Sequence, residues 1–284
     1  VNEVIHGLPE DEYHRDTERL SASGAKVLLG KRPPAEDSDA LAFGRLVHTV
    51  ILEPHRLDEY AILNAEAIGV KKDGSPADNP KATKAWKDAV FNAKRDGLTV
   101  IDGQTLAKAQ AMADAVANHP EAGRLLSLAV EHEVSMYAEH PTGAPVRGRL
   151  DLVGSDFVAD IKTCREGDPA EFGNIIHRLM YHVSAANYLD IAQANGIHAK
   201  RFDLICVETE PTLSGEYRVS VLEIHEDAID KGRELMAEAC SRWLALGRRI
   251  DLPSYGDGRH VVDLPSWAYT SDLDDIDITI PEAS

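Results

Sequence analysis

The pattern of apolar and polar positions changes character about halfway along the chain. Over the first 130 residues apolar positions recur mainly at helical spacing. In "DALAFGRLVHTVILEP" the residues Phe43, Leu46, Val47, Val50 and Ile51 share one face, which predicts a buried helix ending before Pro54. "RLSASGAKVLLG" predicts a shorter helix capped by Ser21 or Ser23 and stopped at Gly30. Helical patterns follow at 82–96, 104–118 and 121–129, the last two parted by Pro120, and the polar "KKDGSPADNP" at 71–80 predicts a loop.

From residue 131 onward the runs shorten and take strand character: "EHEVSMYAEH", "VRGRLDLVG", "DFVADIK", "RFDLICVET" and "YRVSVLEIH". One long helix over roughly 168–195 is predicted between the third and fourth, and a final helix begins at Glu226. The plan is an α/β fold: a three-stranded meander, a crossover helix, two more strands and a closing helix, behind an N-terminal helical part. With no repeat and no long linker, 1–270 reads as a single domain, 1–130 mainly helical and 131–270 a mixed sheet, followed by an acidic C-terminal tail at 271–284. The role of residues 61–100 is left open.

Composition adds exclusions. A hydrophobic share of 43% suits a globular core, and no run approaches the roughly 18 apolar residues of a membrane span. The first residues lack a signal-peptide pattern, so the expectation is a soluble cytoplasmic protein without a membrane partner. A net charge of −18 disfavours sequence-blind adhesion to nucleic acid by overall field, yet permits a local basic channel. Cys164, Cys206 and Cys240 are widely spaced and form no CxxC or CxxH pair, so neither zinc nor an iron–sulfur cluster is expected.

The stretch that demands chemistry is "GRLDLVGSDFVADIK", 148–162. A turn with Ser155-Asp156 at its tip sets Asp151 opposite Asp160, and a Gly154-Ser155 turn sets them diagonally. Both put them on one face with Lys162, whereas a three-residue loop would break the parity. Opposed like charges are destabilising. A hard divalent cation, Mg²⁺ or Mn²⁺, offsets that repulsion through oxygen ligands, and Lys162 can hold a phosphate oxygen or position a water. On the preceding strand Glu133 is placed to add a third carboxylate, and on the 41–52 helix His48 lies four residues after Gly44, whose missing side chain leaves room at the imidazole.

The order Gly44-Arg45-Leu46-Val47-His48, Glu133, Gly148-Arg149-Leu150-Asp151, Asp160-Ile161-Lys162 and then "YHVSAANY" at 181–188 resembles the PD-(D/E)xK nuclease superfamily in its RecB-like branch. More narrowly it resembles the RecE-type exonucleases (exodeoxyribonuclease VIII), many of them encoded by phages and prophages. "YHRDTERLSASGAKVLL", "HPEAGRLL" and "HVVDLPSWA" extend the likeness over most of the chain. The resemblance implies a restriction-endonuclease-like core in which Asp151, Asp160 and the backbone carbonyl of Ile161 bind Mg²⁺, with Mn²⁺ as substitute. It further implies His48 as another ligand, Glu133 as ligand or bridge to a second ion, and Lys162 as the catalytic lysine.

The family's Gln-x-x-x-Tyr motif is altered: Ser184 stands at the Gln position and Tyr188 is retained, both expected to contact substrate. Arg45, Arg147, Arg149, Arg165 and Arg178 are the candidate phosphate contacts by proximity to the motifs. The implied activity is ATP-independent 5′→3′ degradation of linear double-stranded DNA ends to 5′-mononucleotides. It would be carried out by a homo-oligomeric ring that leaves 3′ strands for a RecT-like single-strand annealing protein. The rivals are a same-fold endonuclease or single-strand nuclease, and a non-catalytic DNA-binding protein.

Overall fold

A computed structural model describes residues 2–31, 38–71, 73–75, 77–250 and 258–264. Val1–Ile250 form one compact unit, and the described residues of the second unit, 258–264, contain neither helix nor strand. The acidic tail and part of "HVVDLPSWA" lie outside the described residues.

The chain opens with strand β1 (Glu3–Ile5), helix α1 (Glu10–Arg15) and a two-residue strand β2 (Leu20–Ser21). Helix α2 (Ala22–Leu28) follows, with Ser21 as its cap accepting a hydrogen bond from the Gly24 N–H at 3.1 Å. The long apolar-faced helix α3 (Asp39–Leu52) is capped by Ser38 and gives way at Pro54 to a 3₁₀ turn over Pro54–Glu59. Strand β3 (Tyr60–Leu63), helices α4 (Ala65–Ile68) and α5 (Lys84–Arg95), and strand β4 (Thr99–Asp102) form a separate small element in which β3 and β4 pair in parallel. Helices α6 (Gly103–Asn118) and α7 (Pro120–Leu128) complete this half, Pro120 standing in the first turn of α7 as a helix start.

The second half follows the predicted order. Strands β5 (Glu131–Glu139), β6 (Pro145–Val153) and β7 (Phe157–Cys164) form an antiparallel meander. A helical crossover returns the chain to β8 (Arg201–Glu208), parallel to β7, and β9 (Val219–Glu223) pairs antiparallel beyond it. Helix α10 (Glu226–Ala245) closes the unit.

One expectation needs correction. The single helix over roughly 168–195 is two helices, α8 (Phe172–Leu179) and α9 (Tyr181–Ala194), broken at Met180, whose φ of 53° is left-handed. The mainly helical N-terminal part also lends strands to the main sheet: β1 pairs with β5 and β2 pairs with β6.

Helices cover both faces of that sheet. One core joins α2, α9 and α10 to β5, β6 and β8 through Leu28, Val134, Met136, Leu150, Leu204 and Trp243. The other joins α3, α6 and α7 to β7 and β8 through Leu46, Met112, Leu125, Phe157, Ile161 and Ile205. Cys206 and Cys240 are buried and Cys164 half-buried, all as free thiols.

Candidate active site

The hairpin register settles the geometry that the turn left open. Leu152 pairs with Ala159 and Val153 with Val158, so Asp151 stands opposite Asp160. The Gly154 N–H donates to the Phe157 carbonyl at 2.9 Å, with Ser155 and Asp156 at the tip, and a side chain on Gly154 would run into the Phe157 ring. On the other side His132 pairs with Leu152 and Val134 with Leu150, which sets Glu133 opposite Asp151. Three carboxylates therefore run in a row across three strands.

The sheet is irregular where this row crosses it. Glu133 has a φ of 47°, a left-handed conformation that a non-glycine residue adopts at a cost of order 1–3 kcal/mol. Leu150 packs in one core and Leu152, two residues on, in the other, so the two-residue alternation lapses at Asp151. Beyond the turn-proximal pairs the hairpin ladder is taken over by a side chain: the Ile161 N–H donates to Asp151 Oδ2 at 2.7 Å. The backbone donor is satisfied, and the carboxylate is fixed in place.

His48 reaches the row from α3. Its Nε2 lies 2.8 Å from the Ile161 carbonyl oxygen, and its Nδ1 lies 3.5 Å from both Glu133 Oε1 and Asp151 Oδ2. Nε2–H donation to a backbone carbonyl orients the ring with Nδ1 toward the carboxylates, an arrangement common among metal-binding histidines. Ligand atoms of His48, Glu133 and Asp151 all lie within 4.8 Å of one another, the one such group among the described residues. Two carboxylates and an imidazole suit a divalent ion of the Mg²⁺ or Mn²⁺ type. The Ile161 carbonyl and Asp160, both expected as ligands, adjoin this cluster: the carbonyl oxygen lies against His48 Nε2, and Asp160 is paired with Lys162.

Electrostatics show how the crowding is borne. Burial, and then the charge of Asp160, push the Asp151 carboxyl well above the usual range. Burial would raise Asp160 too, but the Lys162 ammonium outweighs it and holds Asp160 low. Burial opposes the charge of Lys162, yet Asp160 and Asp151 overcome it and keep the amine protonated. At His48 burial is again outweighed, by Asp151 and Glu133, and the imidazole is pushed up to about 9. Glu133 stays ionised against its burial because His48 and Arg149 both bond it, Arg149 Nε donating to Oε2 at 2.8 Å.

His48, Glu133, Arg149, Asp151 and Lys162 open into a cavity of about 420 Å³ whose wall also includes Gly44, Arg45, Thr163, Tyr181 and Tyr188. Tyr188 comes from α9, and Gly148 makes room for it: a Cβ at 148 would stand 2.9 Å from the Tyr188 ring. Gly44 is less constrained, since a Cβ there would meet Thr163 Oγ1 at 3.5 Å, an ordinary contact.

The remaining expected contacts separate into two groups. Arg45 is exposed at the cavity wall, and Arg165 and Arg178 are exposed elsewhere. Arg147 is buried instead, its guanidinium on the backbone carbonyls of Tyr13 and Arg19 and over the Tyr13 ring at 4.4 Å. Arg149 donates to Glu133 and to the Leu8 carbonyl, 2.7 Å away. Both therefore tie the N-terminal segment to the sheet, and Arg149 also lines the cavity. Ser184 is not among the cavity-lining residues, while Tyr181, Tyr13, Ser21, Ser23 and Arg56, none of them predicted as site residues, are.

The sequence matches the model of a family described as a PDDEXK-like domain of unknown function (DUF3799) over residues 18–261. No curated protein sequence matches. A crystal structure from Eubacterium rectale, provisionally named an exonuclease, shares the fold with a TM-score of 0.58 at 13% identity, over 97% of this chain and 100% of its own. Partial similarity extends to a phage-related exonuclease from Haemophilus somnus 129PT (TM-score 0.32, 16% identity, 66% of this chain and 95% of that one). An alkaline exonuclease from Laribacter hongkongensis is similar in the same partial way (TM-score 0.28, 12% identity, 68% and 93%). With most of its length inside the family match, and with a mixed sheet flanked by helices around the Asp151, Asp160 and Lys162 constellation, the chain belongs to the PDDEXK-like DUF3799 family.

Proposed function

We propose that this protein is a divalent-metal-dependent exodeoxyribonuclease of the RecE type. The observation that carries the reading is that His48, Glu133, Asp151 and Lys162 line one cavity, with Lys162 ion-paired to Asp160. A divalent ion bound there supplies charge neutralisation at a phosphodiester and lowers the pKa of water. Lys162, held protonated by two carboxylates, donates to a non-bridging oxygen or orients the attacking water. Arg149 keeps Glu133 ionised and aimed at His48. Tyr188, its hydroxyl kept neutral first by burial and then by the nearby Asp160 charge, offers a proton donor from the opposite wall.

The substrate is a linear double-stranded DNA end, resected 5′→3′ without ATP to 5′-mononucleotides. The 3′-ended strand left behind passes to a RecT-like annealing protein. The same resemblance supports Mg²⁺ as the working ion, a homo-oligomeric ring and action in the cytoplasm. Among the described residues no helix is long and apolar enough to cross a membrane.

The test is digestion of a duplex labelled at the 5′ or the 3′ end, with Mg²⁺ or EDTA, for wild type, Lys162→Ala and Asp160→Ala. Early release of 5′ label as mononucleotide, lost in EDTA and in both variants, is expected. Cutting of covalently closed circles would make the enzyme an endonuclease, and no cleavage with either Mg²⁺ or Mn²⁺ would leave a binding protein.

A further inference from the structure

The insertion between the cavity wall and α6 carries an unusual helix. Residues 61–100 hold seven basic and five acidic side chains in a chain whose net charge is −18. Within it α5 turns Trp86, Ala89, Val90 and Ala93 inward, leaving Lys84, Lys87, Phe91, Lys94 and Arg95 exposed. Their spacing of i, i+3, i+7, i+10 and i+11 puts all five on one helical stripe. Phe91, near its centre, is 67% exposed. Arg95 pairs with the adjacent Asp96 at 3.0 Å, whereas Lys84, Lys87 and Lys94 have no carboxylate within 4 Å among the described residues.

The small element that carries the helix begins at the active cavity. Thr49, Glu53 and Arg56 line that cavity, the chain continues from Arg56 through the 3₁₀ turn into β3, and the Tyr60 hydroxyl lies 3.4 Å from Thr49 Oγ1.

We infer that the Lys84–Lys87–Phe91–Lys94 stripe of α5 is a binding surface for unpaired DNA strand adjoining the cut end, the lysines on phosphates and Phe91 stacked on a base. Unpartnered cations select a polyanion. A solitary exposed aromatic among them suits a base, which presents a π-face whatever its sequence. An apolar protein partner would call for a cluster of apolar side chains, and the stripe has one. The inference rests on the nuclease reading for its ligand, and its test is separable from it.

Full-length protein carrying Lys162→Ala binds fluorescent blunt duplex and duplex with a 3′ overhang in Ca²⁺, with anisotropy read across salt concentrations. Adding Phe91→Ala is expected to weaken overhang binding about tenfold and leave blunt duplex unchanged. Adding Lys84→Glu, Lys87→Glu and Lys94→Glu together is expected to reduce the magnitude of the overhang salt slope by about 2. Wild-type-like affinity and slope in both variants would overturn the inference while leaving the nuclease reading standing. So would equal losses on both substrates for Phe91→Ala. Loss of self-association by sedimentation, with DNA binding intact, would reassign the stripe to a second copy of the chain. A parent that binds neither DNA would remove both readings.

Discussion

Glu133, Asp151 and Asp160 bring three carboxylates together in the sheet, two of them buried, while α5 spreads four cations over a face open to solvent. Inside the sheet each charge is held: Glu133 by Arg149 and His48, Asp151 by the Ile161 N–H, Asp160 by Lys162. The lysines on α5 are held by nothing among the described residues. Concentrated charge in a dry setting costs folding free energy and is obtained through a left-handed Glu133 and a broken alternation. Solvated charge costs the fold little. Substitutions in the row should therefore move activity and stability in opposite directions, and substitutions on α5 should move binding alone.

The largest expected effect is at Asp151. Asp151→Asn should lower cleavage by about 10³-fold or more while keeping an acceptor for the Ile161 N–H. In EDTA at pH 7.5 the same variant should melt about 2–4 °C higher, because a buried carboxylate facing Asp160 is removed. A lower melting temperature would break the comparison. Arg149→Met comes next, with cleavage down roughly 100-fold, concentrated in kcat with KM little changed, since this positioning residue acts through Glu133.

A third test uses pH. His48 is raised from an ordinary 6.5 to about 9 when no ion is bound, so its stabilising charge is complete below pH 6.5 and is lost as pH rises through about 9. An ion must displace that proton to use Nδ1. Calorimetric Mn²⁺ affinity should rise with pH across this window, by up to about tenfold per unit for each proton released, and flatten above it. The smallest effect is Phe91→Ala, whose folding stability by thermal or denaturant unfolding should stay within about 0.5 kcal/mol of wild type, because the ring is solvent-facing.

Strand order, the shared face of Asp151 and Asp160 and the approach of His48 were legible because period-two alternation, a Gly-Ser-Asp turn and a Gly44-to-His48 helical step are local signals, whereas the register needed the Leu152–Ala159 pairing. What was illegible depended on tertiary partners. Strands of two and three residues, β2 and β1, are too short to show a period. Met180 carries no sign that its backbone turns left-handed, since such breaks are normally marked by glycine. Arg147 and Arg149 sit at alternate strand positions like any surface pair, and only the Tyr13, Arg19 and Leu8 carbonyls lying over them give their roles. Ser184 followed a family position, and α9 reaches the cavity wall through Tyr181 and Tyr188 instead.

The pairing of β1 with β5 and of β2 with β6 joins residues more than a hundred positions apart. A ribosome-bound chain must therefore hold its first 21 residues unpaired until β5 and β6 have emerged. Pairings of such long sequence separation form slowly. The wall containing Tyr13, Ser21 and Ser23 thus closes over Asp151 only after β6 has emerged, and a nascent fragment ending before Lys162 exposes strand edges without the Asp160–Lys162 pair.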